Sequence, residues 1–213
     1  MNFFAHAVVA GRHSRAPRVV LGAMLPDLLS MLGVRLAHAA DAELAQGIEL
    51  HHATDSAFHG APLFTELCSQ SLAELGERNV GRGTARAVAH VGIELLLDGA
   101  LSGQASERAL YAAALHDAAQ GDLGERLTLA SPDALPRLRA GLARLARSEL
   151  PEAYRDPAFV VDRLRVILAR RPRLAMAEGD YETVEAWAKR MQPSVAASSR
   201  ELLEWVVSRA KLD

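Results

Sequence analysis

Apolar residues recur along this chain with the period of a helix, and no segment alternates apolar and polar positions as a half-buried strand would. Residues 2–11 are apolar almost all round, the pattern of a short, central helix. A basic turn over 12–18 follows, and residues 19–32 read as a second helix. Pro26 and Asp27 lie near its middle, where proline predicts a kink or a break. Asp41 stands where an N-cap belongs for a helix ending near His59 and Gly60. Further helices are predicted over 62–77, 84–101 and 106–119. Ser131-Pro132-Asp133 and Asp156-Pro157 each set a cap residue before a proline, and the second starts a helix reaching about residue 170. Two helices, over 181–191 and 193–210, complete the series. The pattern predicts an all-α fold, a single-domain helical bundle over 1–213.

Polar residues break this pattern in two places with the same spacing. His51, Asp55 and His59 are four residues apart, and so are His90, Glu94 and Asp98. A step of four advances about 400° around a helix, so each trio lies on one slowly drifting stripe. Two helices that each present imidazole and carboxylate on one face predict a metal centre between them. His6 sits in an otherwise apolar helix and Asp27 in the run A-M-L-P-D-L-L. An ionised carboxylate there is costly to bury unless paired or bound to metal. Each alone also fits a hydrogen-bonded core histidine or a first-turn carboxylate. Together His6, Asp27, His51, Asp55, His59, His90 and Glu94 form a mixed N/O ligand set. Such a set suits zinc, manganese or iron better than magnesium or calcium. Asp27 and Asp98 are the candidates for ligand or general base. His52 points about 100° away from His51 and is read as substrate-facing or as a surface residue.

Length and composition narrow the picture. At 213 residues, half of them apolar and 5% aromatic, the chain fits one helical domain that buries about 70% of its unfolded surface. The net charge of −2 excludes a globally basic nucleic-acid binder. A lone cysteine, Cys68, excludes an internal disulfide and a thiolate metal site, and reads as a small core filler. No run is long enough to span a membrane and no secretory signal is present, so a cytoplasmic protein is expected.

Between Arg137 and Arg173 ten arginines face four acidic residues. The run A-R-R-P-R at 169–173 is denser than a solvated face requires, and arginine suits phosphate or carboxylate recognition. Arg170 and Arg171 are therefore candidates for contact with an acidic protein or a phosphorylated small molecule. The dipeptide His116-Asp117 imitates a phosphohydrolase signature but reads as a helix C-terminus, where histidine is favoured by the dipole.

The opening M-N-F-F-A-H, then L-G-A-M-L-P-D, G-I-E-L-H-H-A-T-D-S, I-E-L-L-L-D-G-A-L and A-R-R-P-R-L, in that order, resemble the acyl carrier protein phosphodiesterase family. The resemblance spans most of the chain and is loosest over 104–151. It implies an all-helical fold distantly related to the HD phosphohydrolases. It also implies a divalent metal, typically manganese, and hydrolysis of the phosphodiester that joins 4′-phosphopantetheine to a carrier-protein serine. By position, His6, Asp27, His51, Asp55, Glu94 and Asp98 match the family's polar motif, with Glu94 where aspartate is usual. Gly99 stands where the family tends to have histidine, His52-Ala53 replaces a basic pair, and His59 and His90 are additional. A ligand moved from the end of the helix to His90 would account for Gly99 and His90 together.

A weaker resemblance, carried by His6, Pro26-Asp27, H-x3-D-x3-H and H-x3-E, is to zinc-dependent phospholipase C. It accounts for His59 and His90 but leaves the arginine segment unexplained. Both imply metal-assisted phosphodiester hydrolysis. A non-catalytic metal-binding module that docks carrier proteins, and a helical interaction protein with structural stripes, are the other readings of the same residues.

Overall fold

Among the described residues helices predominate, with one small sheet. The computed structural model describes residues 1–131 and 133–210. Its helices are α1 (Phe3–His13), α2 (Pro17–Leu32), α3 (Ala42–His59), α4 (Pro62–Glu77), α5 (Arg82–Leu101), α6 (Ala105–Gln120), α7 (Leu123–Arg126), α8 (Ala134–Ala146), α9 (Pro157–Leu168) and α10 (Tyr181–Arg209). The all-α class read from the sequence holds. The structure adds an antiparallel pair, β1 (Leu36–Ala39) and β2 (Leu127–Leu129), with Leu36 opposite Leu129. Strands of three and four residues are too short to show a period of two, so the pattern could not reveal them.

The helices group into two compact units. The first takes in Met1–Ala57, Gln104–Leu150 and the chain from Val206; the second takes in Phe58–Gly103 and Pro151–Trp205. In the first, α1 packs on α2 and α6, and α8 on α2 and α6. Residues from Phe4 to Gly11 are buried on every side of α1, as its uniform apolarity requires. Pro17 opens α2, which runs through Pro26 to Gly33 in the left-handed region at φ 63°. The main-chain N–H of Val34 closes that end on the carbonyl of Leu29. Asp41 caps α3: its Oδ1 accepts from the N–H of Glu43 at 3.0 Å and of Leu44 at 3.1 Å. Glycine lets α2 and α3 meet backbone to backbone. A Cβ on Gly22 would overlap the carbonyl oxygen of Leu44, and one on Gly47 that of Val19.

In the second unit α5 packs against α4, α9 and the 3-10 turn Glu152–Arg155. Asp156 caps α9 by accepting from the N–H of Ala158 at 2.9 Å, the start read from Asp156-Pro157. The other start signal is only partly described, since Pro132 lies outside the described residues; α8 begins at Ala134 after Asp133, which makes no side-chain cap bond. Two terminal helices were expected around Pro193, but α10 is continuous through it. Val184, Trp187, Ala188, Met191, Val195 and Leu202 are all buried. Their helical spacing runs straight across the proline, and this packing outweighs the one N–H that Pro193 cannot supply. Cys68 on α4 is half-buried, less enclosed than a core filler.

Candidate metal centres

Three helices of the first unit converge on His6. Its side chain is fully buried in α1, and its Nε2 lies 3.6 Å from Asp27 Oδ2 of α2 and 3.6 Å from Asp55 Oδ1 of α3. Neither ring nitrogen of His6 has a hydrogen-bond partner. Burial pushes this imidazole down to about 3, so it is neutral near pH 7. His51 stacks on it with ring centroids 4.1 Å apart and planes inclined by 29°. The His51 Nε2 lies 4.0 Å from Asp27 Oδ1. Burial also lowers the pKa of His51, against a hydrogen bond to the carbonyl of Ala23. Asp27 and Asp55 keep about a third of their side chains exposed, 35% and 33%. The amino group of Met1 donates to Asp55 Oδ1 at 2.7 Å. His6, Asp27 and His51 bring one ligand atom each within 4.8 Å of the others.

The position of His51 follows from the glycine crossing. Gly47 sits one turn before it and brings α3 onto α2, which sets His51 Nδ1 2.9 Å from the carbonyl of Ala23. Sequence reading missed this carbonyl, because main-chain acceptors leave no trace in residue identity. The only available signal was glycine on both helices.

A second group forms in the second unit. His59 Nε2 and His90 Nε2 are 3.1 Å apart, and each lies 3.3 Å from Glu94 Oε1. The two rings stack at 4.9 Å with planes 12° apart. Burial would raise the Glu94 carboxyl, yet hydrogen bonds from His59 and His90 help hold it below the ordinary carboxylate range. His59, His90 and Glu94 again place one ligand atom each within 4.8 Å.

The residues expected to form one centre between two striped helices fall instead into two separate groups. Two steps of four turn a stripe by about 80° and advance it about 12 Å. His51 and Asp55 accordingly meet His6 and Asp27, while His59 meets His90 and Glu94. Asp98, 1% exposed, belongs to neither group among the described residues. His52 is exposed, edge-on to His51 at 5.3 Å. His116 is exposed and Asp117 pairs with Arg126 at 2.6 Å, so that dipeptide serves the surface. Arg170 and Arg171 are exposed on the turn after α9. That turn rests on the start of α5, where the Oγ1 of Thr84 donates to the carbonyl of Ala175 at 3.2 Å. Gly99 shows why no side chain follows Asp98: a Cβ there would overlap the carbonyl oxygen of Tyr154.

A family model described as acyl carrier protein phosphodiesterase matches residues 1–202. No curated protein and no solved structure matches the chain. The arrangement of motifs and the extent of that match lead to one statement: the chain belongs to the acyl carrier protein phosphodiesterase family.

Proposed function

We propose that the protein is a metal-dependent phosphodiesterase that removes 4′-phosphopantetheine from a carrier-protein serine, with the group around His6 as its centre. One observation carries this reading. A fully buried histidine with no hydrogen-bond partner for either nitrogen stands between two carboxylates. An unpaired buried polar group costs about 1–3 kcal/mol, and a cation at that spot would use the lone pair. The donor set fits such an ion: two imidazoles held neutral by burial and two carboxylates about one-third exposed suit manganese, iron or zinc.

His6, His51, Asp27 and Asp55 would hold the ion. When bound, it supplies Lewis-acid polarisation of a phosphoryl oxygen and a water acidified toward neutrality. Ala23 holds His51 in the tautomer that leaves Nε2 bare. Asp27, with 35% of its side chain exposed, is open to solvent and accepts the proton of the attacking water. A P–O bond to the water oxygen forms, the bond from phosphorus to the serine oxygen breaks, and that oxygen leaves with the proton that Asp27 took from the water. The products are the free serine and 4′-phosphopantetheine. Asp98 is too deeply buried to be given contact with substrate.

Exposed Arg170 and Arg171 offer forked donors to the acidic surface of a carrier protein. The test is holo-carrier protein incubated with the purified protein and manganese. Loss of the phosphopantetheine mass from wild type, and its retention with Asp55→Ala that stays helical, supports the reading. Full activity in a metal-free Asp55→Ala variant would contradict it.

A further inference from the structure

The second group has three short edges, and hydrogen bonds cannot fill all of them at once. His59 Nε2, His90 Nε2 and Glu94 Oε1 form a triangle with edges of 3.1, 3.3 and 3.3 Å. If one imidazole donates its Nε2–H to the other, the accepting nitrogen has no proton left for Glu94. If both nitrogens carry protons for Glu94, the two N–H groups converge on one oxygen, and the 3.1 Å edge between the rings is then no hydrogen bond. No protonation state satisfies all three edges.

A cation satisfies them together. Three donors about 2.0–2.1 Å from a tetrahedrally coordinated ion stand about 3.3 Å from one another. The observed edges match that spacing, whereas the contacts around His6 are looser, at 3.6 to 4.0 Å. Two imidazoles and one carboxylate are also a donor set suited to zinc, with one position left for an exchangeable ligand. The side chains of His59 and His90 are 33% and 44% exposed, so an ion can reach them from solvent.

We propose that His59, His90 and Glu94 form a second metal site, selective for a zinc-class ion, with three protein ligands and an open fourth position. The site has its own ligands and does not depend on the catalytic reading of the His6 group.

The test uses the full chain, freed of metal, and titrates it with cobalt(II) and then zinc(II). Wild type should develop the intense visible absorption of tetrahedral cobalt, and zinc should displace it. The paired substitution His59→Gln and His90→Gln should abolish that absorption and lower bound zinc by one equivalent per chain. Asp27→Asn, which alters only the first group, should keep the absorption. Melting curves confirm that both variants are folded, and His90→Ala alone serves if the double variant is not. The proposal is overturned if the cobalt spectrum and zinc equivalents are the same in wild type and the histidine variants. It is also overturned if wild type shows no tetrahedral cobalt band. Loss of the band in Asp27→Asn would merge the two sites and overturn their independence. A surviving band with no phosphodiesterase activity would instead count against the catalytic reading alone.

Discussion

The imidazole of His51 donates from Nδ1 to the main-chain carbonyl of Ala23 at 2.9 Å. A carbonyl can only accept, so this contact assigns the proton to Nδ1 and leaves Nε2, 4.0 Å from Asp27 Oδ1, with its lone pair. The tautomer of His51 is thus determined by how closely two helices approach, and that approach depends on glycine.

Gly47→Ala tests this dependence. The new methyl group meets the carbonyl of Val19, which is main chain and cannot rotate away. Overpacking of this kind costs about 1–3 kcal/mol. Thermal melting should show a drop of roughly 2–4 °C per kcal/mol. Metal affinity should fall with it, because His51 moves with α3.

Gly99→His would restore the histidine usual in the family, and the structure predicts harm. The carbonyl of Tyr154 occupies the space a side chain needs. Urea unfolding should show a stability loss larger than that of Gly47→Ala, with no gain in activity. A stable, more active variant would refute this account of the departure.

His6→Leu separates a ligand from a structural residue. Removing two unpaired buried nitrogens should raise the melting temperature of the metal-free protein. Manganese at a hundredfold excess over its dissociation constant should stabilise wild type by about 2.7 kcal/mol. The variant should lose most of that rise, and an unchanged rise would show that His6 binds no metal.

Asp41 gives a pH dependence of definite sign. Partial burial pushes its carboxyl up, but Arg18 at 2.7 Å and the N–H groups of Leu44 and Glu43 outweigh this and hold it below the ordinary range. Its folded pKa is therefore below its unfolded one. The stabilisation is fully present above the unfolded value, about 4, and is lost as pH falls through the folded value. Asp41→Ala should cost about 1 kcal/mol at pH 7. The gap to wild type in denaturant midpoints should shrink below about pH 4.

The helical bundle was legible because burial imposes the helical period on residue choice, and α4 was read with the bounds it has. Caps at Asp41 and Asp156 were legible because a short oxygen side chain before a helix has one main use. The continuity of α10 was not, since a proline's local cost is visible and the packing that outweighs it is not. The members of both candidate metal groups were named from residue type and spacing. Their division into two sets was hidden, because a stripe of three reads as one face until its drift meets different neighbours. Gly99 read as a loss, and only the backbone of Tyr154 supplies its reason.

The most direct test of the central claim is mass spectrometry of a holo acyl carrier protein after incubation with manganese-loaded protein, wild type beside Asp27→Asn. The account predicts that wild type converts the carrier protein to its apo mass and releases 4′-phosphopantetheine, that chelator stops it, and that Asp27→Asn does neither while remaining folded. An unchanged holo mass with metal-loaded wild type, or full conversion by Asp27→Asn, would contradict it.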